Sequence, residues 1–251
     1  MPETSKTVDQ AVRMMHQIRS TGAAPTAELA RRLGLGRTVV ARLVATLERH
    51  DLVRRTPDGV DLSYGLVGLA DMVSPAMRRV AWPHLQRLAV TCHETAVLAI
   101  IDGDDAVAVD QVVSEHRVVR VHYHPGTRHS LAAAAHGRAM LAHADPATIA
   151  RLATADPGLG AELDRIRSRG YAVSHDELEH GVTGVAAAVL DVSGRPLASL
   201  GVVAPTSRLP ATGEPARAVI AAVVDAANQT AVGLVRREVP SHVPVPNSPK
   251  E

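Results

Sequence analysis

Residues 26–46 read TAELARRLGLGRTVVARLVAT, and this stretch decides the fold of the first part of the chain. Leu29, Ala30 and Leu33 recur on one face of a short helix that opens at Thr26, whose hydroxyl is placed to cap free backbone N–H groups. Gly34 ends that helix, since the turn that follows needs a left-handed residue. A second helix opens near Arg37 and carries Val40, Leu43, Val44 and Leu47 at i, i+3, i+4 and i+7, a single stripe for packing. Ala30 stands where two helices approach too closely for a larger side chain. Together these positions spell a helix-turn-helix. Its outward residues at the start of the second helix are Arg37, Thr38, Val39 and Ala41, with Arg42 one turn on, the places from which a recognition helix reaches base edges and phosphates.

The flanks agree with this reading. Upstream, Val8, Val12, Met15 and Ile18 give the segment from Ser5 to Ser20 a helical spacing that ends at Gly22 and Pro25. Downstream, LVRRTPDGVDLS reads as two short strands around Pro57, Asp58 and Gly59, a wing that sets Arg54 and Arg55 toward the flanking phosphate backbone or minor groove. The window 31–55 holds seven arginines against Glu48 and Asp51, although the whole chain has a net charge of only +1. Positive charge is therefore concentrated where double-stranded DNA would lie. An ordinary three-helix domain with a solvated arginine face is the competing reading.

At 251 residues, 46% hydrophobic and 21% charged, the chain is long enough for two domains with real cores, and whole-chain disorder is excluded. The cores must be filled by Ala, Val and Leu, because aromatics are limited to Tyr64, Trp82, Tyr123 and Tyr171. No uninterrupted apolar run approaches the ~20 residues that cross a bilayer, and MPETSKTVDQ lacks the apolar centre of a signal peptide, so a cytoplasmic protein without membrane contact is expected. Cys92 stands alone and is expected to be an inert buried thiol.

Four blocks are anticipated: a winged helix-turn-helix domain over 1–65, a helical linker over 66–93 with Ser74 as a cap and Pro83 as a kink, an α+β domain over 94–238, and a proline-rich disordered tail over 239–251. In the α+β domain TAVLAII and AVAVDQVV, then RVVRVHY, and later GVAAAVLDV and LASLGVV read as strands of a mainly antiparallel sheet. Helices are read over 137–143, 147–153, 159–169 and 214–236.

Small residues cluster at Ala132–Gly137 and Gly181–Gly184, read as loops beside helix starts whose N–H groups suit a carboxylate. Thirteen histidines are present; His122 and His124 would share a strand face, yet no complete ligand set for a metal accompanies them, and neither metal nor cofactor is expected. His175, Asp176, Glu177 and His180 in HDELEH support a competing enzymatic reading, against which no nucleophile elbow or phosphate loop is found. A DNA-binding factor without any effector is the third.

Three separated blocks, AELARRLGLGRTVVARLVATLERHDLVRR, HPGTRHSLAAAAHGRAMLA and RGYAVSHDELEHGVTGVAAAVLDVSGRPLASLGVV, in this order resemble an IclR-type transcriptional regulator over about residues 5–237. The resemblance implies a GAF-like second domain that binds a small metabolite, an organic acid or an aromatic or hydroxylated compound. It implies a homodimer or dimer of dimers on a palindromic operator, acting as a repressor. It also places Ala134, Ala135, His136, Gly137, Ser174, Asp176 and Gly184 at the effector pocket. The sequence departs from the family pattern at Ser174, where an acidic residue is common, at Gly184, where a cysteine or other side chain is common, and at Gly201, where a serine can occur.

Overall fold

The computed structural model describes residues 4–209 and 217–238. The chain divides between Pro75 and Ala76 into two compact units. In the first, α1 (Lys6–Thr21), α2 (Thr26–Leu33) and α3 (Arg37–Arg49) are followed by a two-stranded antiparallel hairpin, β1 (Val53–Thr56) and β2 (Gly59–Leu62), and by α4 (Gly65–Asp71). Leu29, Ala30, Val40, Leu43, Val44 and Leu47 form one core with Met14 and Ile18 of α1 and Val53 and Val60 of the hairpin. Gly34 is left-handed at φ 65, and its N–H donates back to the end of α2, as the turn demands. The cap expected of Thr26 is not made: α2 begins after Pro25, with Thr26 already its first helical residue, and no side chain caps it.

Ala24 and Val60 exchange both backbone hydrogen bonds, at 3.2 and 2.9 Å, which hooks the hairpin onto the α1–α2 connection. Gly59 makes that approach feasible: its φ is 126, and a Cβ there would lie 2.2 Å from the Ala24 carbonyl carbon.

The second unit contains α5 (Pro75–Cys92), β3 (Thr95–Asp102), β4 (Asp105–Val112), β5 (Arg128–Ser130), α6 (Ala134–Leu141), α7 (Pro146–Leu152), α8 (Leu159–Arg169), β6 (Ala172–His175), β7 (Val182–Leu190), β8 (Pro196–Pro205) and α9 (Arg217–Glu238). Its six-stranded sheet runs β5-β4-β3-β8-β7-β6, antiparallel throughout. Both expected hairpins, β3–β4 and β7–β8, are present. Alternation along the strands splits the interior in two. Ala96, Leu98, Val185, Ala187, Leu200 and Val202 join Leu85 and Leu88 of α5 and Val223 and Ala227 of α9. The opposite face, through Ala99, Ala106 and Ala186, meets α6 and α8 at Ala135, Ala139, Met140, Leu163 and Ile166.

Several local expectations are corrected. The helical pattern of 66–93 is two helices, parted at Met72–Ser74 with Ser74 left-handed at φ 47, whereas Pro83 lies inside α5 without ending it. RVVRVHY is not a strand: the strand that pairs with β4 is β5, at Asp105–Val107, and residues 117–123 run as irregular backbone. That segment is moored by side chains, with Thr95 Oγ1 donating to the Val121 carbonyl at 2.6 Å, the Tyr123 N–H to Gln111 Oε1 at 2.9 Å, and Arg208 to the Val119 carbonyl at 3.1 Å. Arg208 is itself held by both carboxylate oxygens of buried Glu94. Helix α9 also exceeds the expectation about apolar length, since Arg217–Val235 has a mean hydropathy of 1.6 and is long enough to cross a bilayer. Here it lies on the sheet, burying Val223, Ala226, Ala227 and Thr230. The 239–251 tail falls outside the described residues.

Gly59→Ala should cost of order 1–3 kcal/mol more than Gly103→Ala, because Gly103, left-handed at φ 62, has nothing within 4 Å of its added methyl, whereas residue 59 must break the hairpin hook. Calorimetric melting of the two variants checks this, and equal losses would count against the close approach.

Candidate functional site

The recognition face is built by α3. Because Val40, Leu43, Val44 and Leu47 turn inward, Arg37, Thr38, Val39, Ala41 and Arg42 are all exposed. Gly36 precedes the helix and offers no side-chain cap, so the first-turn N–H groups of α3 are left for an outside acceptor. Among the described residues neither Arg37 nor Arg42 has a carboxylate partner, in contrast to Arg31 and Arg32, which share Glu28 on α2. The wing arginines differ from each other. Arg55 is 59% exposed and pairs with Glu48 at 3.3 Å. Arg54 is engaged within the unit: it pairs with Asp61, donates to the Leu62 carbonyl and lies over the Tyr64 ring at 4.7 Å.

In the second unit a cavity of about 280 Å³ opens between α6, the irregular 121–124 segment, and the β6–β7 connection. Val121, Val182 and Val203 supply apolar wall; Ala134, Ala135, Ser174 and Gly184 supply room. Gly184 sets the size of its floor, since a Cβ there would meet Ser174 Oγ at 3.0 Å and the Ala135 methyl at 3.4 Å. Polar side chains share the lining, among them His122, Tyr123, His124, His136, Glu177 and Glu179. His136 is buried, with Nδ1 2.9 Å from the Ser199 hydroxyl and Nε2 without a hydrogen-bond partner among the described residues. The Tyr123 hydroxyl is likewise buried and unpartnered among them. Burial, then the nearby His129, lower the His136 imidazole to about 3, so it is neutral at any ordinary pH.

The start of α6 carries backbone strain: Ala134 is left-handed at φ 55. Its N–H donates to Glu177 Oε2 at 3.0 Å, and the other Glu177 oxygen receives Arg138. A carboxylate does sit on the helix start, as the small-residue clusters had suggested, but it belongs to the protein.

The cavity thus gathers Ala134, Ala135, His136, Ser174 and Gly184, while Gly137 and Asp176 lie outside its lining. Gly137 serves packing, since a Cβ would sit 2.8 Å from the Ser130 and Leu131 carbonyl oxygens. Asp176 closes a turn by accepting the Gly181 N–H at 2.6 Å. Gly181–Gly184 leads into strand β7 rather than a helix, which corrects that part of the reading. His175 is bound to Thr183 Oγ1 on β7 at 2.9 Å, so of HDELEH His175, Asp176 and Glu177 are each engaged within the protein. The rings of His122 and His124 stack 5.5 Å apart at the cavity wall, and among the described residues no three His, Cys, Asp or Glu side chains are grouped to hold a metal. Sequence reasoning missed Tyr123 and the wall residues Val121 and Val203, because their convergence depends on the irregular segment. Cys92 is half-buried, and burial with Glu94 pushes its thiol up to about 11, out of reactive range.

Two family models match the chain in order: the IclR helix-turn-helix domain over residues 7–57 and the bacterial transcriptional regulator IclR C-terminal domain over 71–232. The chain belongs to the IclR family. It is a DNA-binding transcriptional regulator and not an enzyme. Among IclR relatives, the HTH-type transcriptional regulator BhcR of Paracoccus denitrificans is 29% identical over 250 residues, covering 93% of this chain and 88% of its own length. The transcriptional repressor IclR of Escherichia coli is 25% identical, covering 76% of each. A solved IclR homologue from Microbacterium hydrocarbonoxydans, complexed with 4-hydroxybenzoate, shares the fold at a TM-score of 0.73 and 22% identity, over 92% of this chain and 100% of that one.

The neutral His136 has a consequence for stability. Its folded value of about 3 lies below the ordinary 6.5, so on acidification the unfolded chain takes up a proton that the native state refuses. Stability present above pH 6.5 is lost as pH falls toward 3, by up to about 1.4 kcal/mol per pH unit. His136→Gln, which can keep a hydrogen bond to Ser199, should flatten the pH slope of urea-derived stability in that window; an unchanged slope would show that the imidazole is not the group responsible.

Proposed function

We propose that this regulator is a ligand-controlled repressor whose α3 enters the major groove of a palindromic operator and whose affinity is set by a small metabolite in the cavity walled by α6, β6, β7 and β8. The observation that carries it is the exposed pair Arg37 and Arg42 on α3, neither with a carboxylate partner among the described residues, in a chain whose second unit holds a half-apolar cavity. Arg37, at the first helical position, reads a base edge, most simply guanine; Thr38, Val39 and Ala41 border it, and Arg42 contacts phosphate. Arg55 reaches flanking phosphate, while Arg54 shapes the wing through Asp61 and Tyr64. One recognition helix spans too few base pairs for useful specificity, which supports at least a homodimer. The exposed apolar row Val67, Leu69, Met72 and Val73, with Tyr64, is the surface in the first unit that best suits a second copy. A dimer of dimers is compatible with the same reading, as is an effector that combines an apolar body with oxygen-bearing groups.

Mobility-shift titrations test the DNA half. Arg42→Ala should weaken operator and random DNA alike, and Arg37→Ala should also erode the preference for operator, each by about 1–3 kcal/mol. Equal loss on both DNAs for Arg37→Ala would remove its base-reading role.

The cavity is tested by Ala135→Trp, which fills it from α6. This variant should bind operator as the parent does and lose the shift in DNA affinity that an effector produces. A retained response would place the effector elsewhere, and a parent protein that responds to no metabolite would leave an effector-independent factor.

A further inference from the structure

Resting on the reading of this cavity as the effector pocket, we propose that it selects an uncharged ligand, one that presents a carbonyl or hydroxyl oxygen to His136 and Tyr123, over the corresponding carboxylate. The Ser199 side chain is fully buried, and its one hydrogen-bond contact among the described residues is His136 Nδ1 at 2.9 Å. A hydroxyl proton in such a place goes to the available acceptor, so Ser199 donates, Nδ1 accepts and the ring hydrogen resides on Nε2. Nε2–H is then a buried donor without a protein partner among the described residues, and the Tyr123 hydroxyl, its ring 6.2 Å from the imidazole, is a second. Burial, then the Glu179 carboxylate, hold the Tyr123 phenol above its ordinary range, which keeps it a donor.

Among the described residues, the cavity lining holds no arginine or lysine free of a carboxylate. Arg138, outside the lining, gives Nη2 to Glu177 while its buried Nε has no partner among the described residues, and the N–H at the start of α6 is taken by the same carboxylate. Arg128, on the cavity wall, is bound to Asp102 and Asp105. Glu179 adds a further carboxylate to the lining. His122 and His124 line the exposed mouth, where water screens them. A ligand carboxylate would therefore lose its hydration against neutral donors and resident carboxylates, whereas a carbonyl or hydroxyl oxygen satisfies both orphan donors at little desolvation cost.

The test uses the full chain and matched probes of equal shape: 4-hydroxybenzaldehyde with 4-hydroxybenzoate, benzamide with benzoate, and γ-butyrolactone with 4-hydroxybutyrate, by isothermal titration at neutral pH. The neutral member should bind about tenfold or more tightly than its acid in at least one pair, with binding abolished by Ala135→Trp and weakened about fivefold or more by His136→Leu and by Tyr123→Phe. In the free protein, long-range ¹H–¹⁵N spectra should show the His136 ring as the neutral Nε2–H tautomer. An Nδ1–H or doubly protonated ring overturns the proposal. So do acids that bind more tightly than their neutral partners; if that binding disappears in Ala135→Trp, the pocket reading survives alone. Binding by no probe, or binding that persists in Ala135→Trp, overturns both.

Discussion

Helix α6 can rest on the sheet only because the side chains between them are small. Ala135 and Ala139 on the helix face Gly184 and Ala186 on β7, while Gly137 lets the helix start press against the carbonyls of Ser130 and Leu131. From that close approach the rest of the second unit follows. It brings His136 to Ser199 on β8, and it brings the strained Ala134 N–H and the Arg138 guanidinium to the one carboxylate of Glu177. The cavity is the volume left beside this contact, where Gly184 contributes no side chain and the wall passes to the segment that carries Tyr123.

The two sites manage charge in opposite ways. On α3, arginines stand apart from carboxylates, and their field is free to act on a polyanion. Beside the cavity, Arg138 pairs with Glu177 and Arg128 with Asp102 and Asp105, which fixes those segments in place. Surface pairs of this kind add little stability. Their weight here lies in holding the β6–β7 connection against α6.

The helix-turn-helix was legible almost residue by residue, because its signals are local: a stripe at helical spacing, a left-handed glycine, a two-residue turn between short strands. The hairpins of the sheet were legible for the same reason. The segment 117–123 was not, since its β-branched residues favour a strand while the contacts that hold it are side-chain bonds to Thr95, Gln111 and Arg208. The pocket residues divide along that line. Ala134, Ala135, His136, Ser174 and Gly184 line the cavity and were named through the family resemblance, while their spacing alone read 132–137 and 181–184 as loops; Tyr123 is held there by long-range hydrogen bonds that tie its segment to Thr95, Gln111 and Arg208, which no spacing encodes. Gly137 and Asp176 showed the converse, being well placed in the chain yet engaged in packing and turn closure.

That moored segment has a consequence for how such a protein diversifies. It forms one wall of the pocket but no rung of the sheet, and it is tied down at a few points by side chains that belong to the scaffold. Backbone of this kind tolerates changes of length and composition with modest cost to the core. A chain that keeps the same sheet, the same α6 and the same α3 can therefore exchange this stretch alone and present a cavity of different shape and chemistry, while the architecture around it stays constant.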